Sequence, residues 1–169
     1  MSELIDPEEY QEYLGTTETD DLGKITRKEI RRYARAVEDD NPLFWDVEHA
    51  RNQGYDDLVI PPNMPPSILE VGAGTPADDL QKDGLPPSLG IDPELPDPVL
   101  TMKGERELTF HQYATAGDNI ARKSTFQDIY QKQGASAGVL TFTVATEEYF
   151  VDEALIITNK QTHIHYDPE

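Results

Sequence analysis

The chain has 169 residues, no cysteine, and 33 Asp and Glu against 14 Lys and Arg, for a formal charge of −19. That length suits one domain, 1–169, able to bury roughly 70% of its unfolded surface. The composition excludes disulfides, thiolate metal sites and a cysteine nucleophile, and the charge opposes binding to nucleic acid or anionic membranes.

Acidic disorder is disfavoured by an apolar content of 37% and by regular periodic segments. The acidity therefore reads as a halophilic surface, whose self-repulsion molar salt would screen to within about 3 Å. Met1 to Tyr10 carries no apolar run, and no stretch approaches the roughly 20 apolar residues of a membrane span. A cytoplasmic location is the expectation.

Residues 1–22 read as an acidic lead-in holding one short helix around Pro7 to Leu14. Thr26 and Glu29 have the spacing of a capping box, with Ile25 placed as the staple residue. Ile30, Tyr33, Ala34 and Val37 then recur at helical spacing, while Arg27, Lys28, Arg31, Arg32 and Arg35 fill the other face. Asp39, Asp40, Asn41 and Pro42 end this helix. A second short helix is expected over Val47 to Asn52, stopped by Gly54, and Asp57 to Ile60 reads as extended. Pro61, Pro62, Pro65 and Pro66 bracket the start of a third helix, tolerable in a first turn, with Ser67 to Val71 apolar enough to be buried. The stretch 72–98, rich in Gly, Pro and Asp but carrying Leu80, Leu85, Leu89 and Ile91, reads as an ordered loop or flap.

The remainder is strand-like. Val99 to Phe110 alternates, Gly117-Asp118 turns, and Asn119 to Gln133 follows. Val139 to Val151 alternates strongly, Asp152-Glu153 turns, and Ala154 to Tyr166 closes the series. Long hairpin-linked strands after a block of helices indicate an α+β domain with an antiparallel sheet.

The stretch from Tyr33 through Asp39-Asp40-Asn41-Pro42-Leu43-Phe44-Trp45, continuing through Gly54-Tyr55 to Ile60-Pro61-Pro62, resembles the MaoC-like dehydratases and hydratases. Their signature is Asp, any residue, Asn, Pro, an aliphatic residue and His. The resemblance covers most of residues 22 to 167 and implies a single hotdog fold, an antiparallel sheet wrapped around a central helix, usually paired with a second hotdog. It also implies reversible water addition to an enoyl thioester of coenzyme A or an acyl carrier, without metal or organic cofactor. In the family, an Asp and a His move the protons of water, and backbone N–H groups at the start of the central helix polarise the thioester carbonyl.

Asp39 and Asn41 stand at the family's Asp and Asn positions, but Phe44 replaces its His, and a phenyl ring carries no proton. Pro65 and Pro66 have no N–H to offer an enolate oxygen, although Asn63, Met64 and Ser67 keep theirs. Both departures match the non-catalytic half of two-hotdog dehydratases, in which one hotdog supplies the catalytic pair and the other accommodates the acyl chain. Phe44, Trp45, Met64 and Ser67, with Asn63, Tyr33 and Ile68, are the candidates for substrate contact; ordinary core packing is the alternative for the apolar ones. Two rival readings remain, a self-sufficient homodimeric hydratase using Asp39 and a scaffolding hotdog without turnover. A thioesterase would need a carboxylate near the central helix, for which Glu70 is the candidate. His49 is a remote substitute for the missing His, His111 has no assigned role, and His163 and His165, sharing a face of the last strand, read as surface histidines.

Overall fold

The computed structural model describes residues 5–68, 76–80, 84, 91–93, 95, 96, 99–134 and 138–166. Among the described residues three α-helices and five strands follow in order: β1 Thr17–Lys24, α1 Arg27–Ala36, α2 Val47–Asn52, α3 Met64–Ile68, β2 Leu100–Phe110, β3 Asn119–Gln133, β4 Val139–Val151 and β5 Ala154–Tyr166. The strands form one sheet in the order β1-β3-β4-β5-β2, every pairing antiparallel. This is the α+β hotdog architecture that the resemblance implies. Among the described residues no helix is long and apolar enough to cross a membrane.

The helices form where their caps dictate. Thr26 and Glu29 close a reciprocal capping box on α1, and Ile30 and Ala34 put its buried stripe into the core. Asp46 caps α2 by accepting from the backbone N–H of Glu48 and His49. One element departs from expectation. Residues 17–24 extend the sheet as edge strand β1 rather than continuing the acidic lead-in, which keeps only a short 3-10 helix over Pro7–Tyr13. Its sequence, TETDDLGK, lacks apolar alternation because this edge has little to bury; Leu22 alone packs against the core. Gly23, at φ 78°, accommodates the bulge in its pairing with β3.

The side chains of Tyr149, Glu147, Ala145, Thr143 and Thr141 on β4, with Ile157, Asn159, Gln161, His163 and His165 on β5, alternate onto one buried face. One end of this face is apolar, where Tyr149 and Ile157 join Met64 of α3, Phe44 and Ile120 in the main core. The rest is polar, and each strand contributes to one continuous chain of polar contacts. Asp20 of β1 accepts from Arg122 of β3, whose guanidinium reaches Glu147 of β4 at 3.4 Å. Glu147 also accepts from Tyr149 and from Asn159 of β5, both at 2.8 Å. Asn159 accepts in turn from Arg106 of β2, which donates to the Pro66 carbonyl of α3 at 2.9 Å. The Glu147 side chain is 2% exposed, and these donors replace the water that burial removes.

A second buried network ties residue 92 to the sheet. Asp92 Oδ2 accepts from Thr143 Oγ1 at 2.8 Å and lies 2.6 Å from His163 Nδ1. Thr143 Oγ1 also lies 2.8 Å from His165 Nε2, and His165 Nδ1 is 2.8 Å from Thr101 Oγ1 of β2. A hydroxyl has one proton, and Thr143 gives it to Asp92. His165 Nε2 therefore donates to Thr143, and in a neutral ring Nδ1 accepts from Thr101.

These histidines correct the sequence reading: they are 3% and 2% exposed, because β5 lies inside the sheet between β4 and β2 and the segment carrying Asp92 covers its face. Burial, reinforced by His163 and opposed by Asp92, pushes the His165 pKa down to about 4. A folded value below the unfolded one means that the unfolded chain binds the extra proton. Stability is then complete above about pH 6.5 and falls as pH drops toward 4, by about 1.4 kcal/mol per pH unit where the proton difference is full. Denaturant titrations of wild type and His165→Gln between pH 7 and 4 should show that slope in wild type and its loss in the variant. The same slope in both would contradict the assignment.

Candidate functional site

The site candidates gather where α1 ends. Val37 N–H donates to Tyr33 O and Asp39 N–H to Ala34 O, and Glu38 makes the turn between them at φ 57°, the left-handed step with which helices commonly terminate. Asp39 Oδ1 then accepts from Asn41 N–H at 3.0 Å, and Asn41 Oδ1 from Leu43 N–H at 3.1 Å. Both side chains thus hold their own backbone in successive turns, and they nucleate the 3-10 helix Pro42–Phe44. Leu43 O accepts from Val59 N–H, pinning the segment to the strand-like stretch that bridges Thr115.

This folding throws the next two aromatic residues to opposite sides. Phe44, at the family's His position, is 5% exposed and packs in the core with Ile30, Met64 and Tyr149. Trp45 stays half-buried at the surface. Its Nε1–H donates to Asp39 O at 2.9 Å, its carbonyl accepts from Arg31, and the Arg35 guanidinium lies 5.1 Å over its ring. Ala34, Arg35, Glu38, Asp39, Asp40, Pro42, Trp45 and Asp46 line an open cleft. Asp39 faces this cleft, exposed, with one carboxylate oxygen engaged by Asn41.

At the start of α3, Pro65 and Pro66 are buried and lack donors, and the N–H of Met64 is already given to Pro61 O at 2.8 Å. One of the three donors that the sequence left available is therefore occupied. Met64 itself is fully buried in the core, whereas Asn63 is exposed and Ser67 half-buried.

Of the residues expected to contact substrate, Phe44 and Met64 are core residues of this chain. Asp39 and Trp45 meet in the cleft, and Asn63 and Ser67 lie with α3. Tyr33 packs against the core from α1. Ile68 ends α3; Glu70 and most of 72–98 lie outside the described residues. His49 is half-buried on α2, and His111 meets Thr158 Oγ1 at 2.9 Å. Sequence reasoning missed the Arg35–Trp45 stack, for which the ten-residue separation leaves no periodic signal. No group of three or more potential metal ligands occurs among the described residues.

The family model described as "FAS1-like, dehydratase domain region" matches residues 13–159. A UPF0336 protein of Parafrankia sp. (strain EAN1pec) is 35% identical over 120 residues, 70% of this chain and 72% of the relative. Among solved structures, a chain of the ChsH1-ChsH2 complex from Mycobacterium tuberculosis matches with a TM-score of 0.66 at 18% identity, covering 91% of this chain and 84% of that one. A chain of the HadBC (3R-hydroxyacyl-ACP dehydratase) complex from the same organism matches at 0.61 and 19%, covering 90% and 96%. At such identities the structural likeness establishes the hotdog fold.

If the motif segment is a structural turn here, substitutions in it should cost stability in proportion to packing. Phe44→Ala should cost about 3–5 kcal/mol, as for a buried aromatic, and Asn41→Ala about 1 kcal/mol, as for a lost cap. Equilibrium denaturation measures both. A cost below about 1 kcal/mol for Phe44→Ala would mean that the ring lines a pocket instead of filling the core.

Proposed function

The chain belongs to the FAS1-like dehydratase-region family and has the hotdog fold of the MaoC-like dehydratases, and from that premise we propose that it is the acyl-binding subunit of an enoyl-thioester hydratase or 3-hydroxyacyl-thioester dehydratase. The observation that carries this reading is Phe44, sealed in the core at the position where the family has its proton-moving His.

Water addition needs one group to take the proton of water as its oxygen bonds to C3, and a donor to deliver a proton to C2. The thioester oxygen needs N–H groups to hold the negative charge that develops between these events. This chain supplies Asp39 in an open cleft, with no imidazole beside it. At the start of α3 it supplies two prolines and a methionine N–H already committed to Pro61. The proton shuttle and the oxyanion donors then come from a second hotdog, and this chain contributes the cleft at Asp39 and Trp45 with Asn63 and Ser67 for the thioester's acyl side. Two of the structural relatives are, by description, complexes of unlike chains, which supports a hotdog partner here. The strongly acidic surface supports a soluble partner in a salt-rich cytoplasm.

The reading is tested by spectrophotometric hydration of crotonyl-CoA and longer enoyl thioesters at high salt. The chain alone should be slower than its complex with a hotdog bearing the full Asp-x-Asn-Pro-aliphatic-His motif by a factor of about 10² to 10⁴. Robust turnover by the isolated chain would replace this reading with the homodimeric enzyme. No turnover in any complex would leave a scaffolding hotdog.

A further inference from the structure

In a chain with more than twice as many acids as bases, five of the 14 Lys and Arg stand on one ten-residue helix. Arg27, Lys28, Arg31, Arg32 and Arg35 are all exposed on α1, and the one acid among them, Glu29, is bound into the capping box. Arg27, Arg31 and Arg35 form one row at i, i+4 spacing and Lys28 with Arg32 a second, a ridge about 12 Å long at 1.5 Å per residue.

Helix stability does not account for this arrangement. Cations in a first turn oppose the helix dipole, and like charges at i, i+4 repel. Intramolecular partners account for three of the five: Arg27 holds Asp57 in a bidentate ion pair, Arg31 donates to the Trp45 carbonyl, and Arg35 lies over the Trp45 ring. Among the described residues, Lys28, Arg31, Arg32 and Arg35 make no ion pair with a carboxylate. Lys28 and Arg32, which make no hydrogen bond or ion pair among the described residues, break the local rules without an internal return, and that is where function is to be sought. The ridge also leads to the candidate site, because Arg31 donates to the Trp45 carbonyl and Arg35 covers the Trp45 ring at the rim of the Asp39 cleft.

We propose that the basic ridge of α1 docks an acidic helix of the carrier protein that presents the acyl thioester to the Asp39–Trp45 cleft. The proposal rests on the reading of this chain as an acyl-binding hotdog and specifies the carrier. A linear, exposed row of cations matches a row of carboxylates on a helix. The compact phosphate groups of coenzyme A would call for converging donors. The chain's own negative charge disfavours nucleic acid as the occupant.

Trp45 is the chain's single tryptophan, so its fluorescence reports docking beside the cleft. The full chain, alone and with its catalytic hotdog, is titrated with a crotonyl-loaded bacterial acyl-carrier protein and, separately, with crotonyl-CoA. Lys28→Glu/Arg32→Glu reverses the ridge at two side chains that make no hydrogen bond within the described residues, and a thermal melt confirms folding. Lys160→Glu, on exposed β5 surface, is the control for charge reversal away from the ridge.

The loaded carrier should bind wild type and Lys160→Glu alike, more weakly as salt rises. Its affinity for the double variant should fall by about tenfold or more, as for lost complementary charges, while crotonyl-CoA binding is unchanged. The proposal is overturned if the carrier does not bind, if the double variant binds it as wild type does, or if crotonyl-CoA affinity falls in parallel. Hydration of crotonyl-CoA by a complex that ignores the carrier would sink this proposal and leave the acyl-binding role standing. Docking on α1 with no hydration of either thioester would do the reverse.

Discussion

The structure turns on one buried carboxylate. Glu147 sits at the centre of the sheet, among side chains that would be apolar in an ordinary core, and it is stable there because Arg122, Tyr149 and Asn159 all direct donors at it. Through Arg122 it reaches Asp20 on one edge strand, and through Asn159 and Arg106 it reaches the first turn of α3 from the other edge. All five strands contribute, in their spatial order, and the chain ends on the Pro66 carbonyl. Breaking a buried pair such as Arg122–Glu147 by removing one partner typically costs about 3–5 kcal/mol. The first turn of α3 is therefore positioned by a polar relay across the sheet as well as by packing of Met64.

Part of this was legible in the amino-acid order. The capping box at Thr26 and Glu29, the short helix over Val47 to Asn52 before Gly54, and the alternation along 99–110 and 139–151 are local signals, and those elements lie where the signals put them. What stayed hidden is non-local or has no pattern. Strand β1 is an edge with little apolar content, held by pairing with residues about a hundred positions away. His163 and His165 look like surface residues because Asp92, the partner of His163, lies 71 residues away and nothing near them in sequence announces a cover. The site divides in the same way. The missing His at Phe44 and the missing donors at Pro65 and Pro66 could be read directly. The loss of the Met64 donor to Pro61 and the Arg35–Trp45 stack needed the fold.

These pieces form one account. The motif Asp and Asn keep a structural duty, since each carboxyl or amide oxygen accepts from a backbone N–H two residues on. The motif thus builds a turn that ends in a core phenyl ring at Phe44. Trp45, turned outward by the same segment, marks where the cleft opens.

The central claim is that Asp39 serves this turn and moves no proton. It is tested most directly by steady-state kinetics of the assembled two-hotdog enzyme carrying Asp39→Asn in this chain, since Asn preserves the acceptor to Asn41 N–H and removes the base. The account predicts a kcat within about twofold of wild type, with the corresponding Asp→Asn change in the partner lowering it by about 10² or more. A loss of that size from Asp39→Asn in this chain would contradict the account.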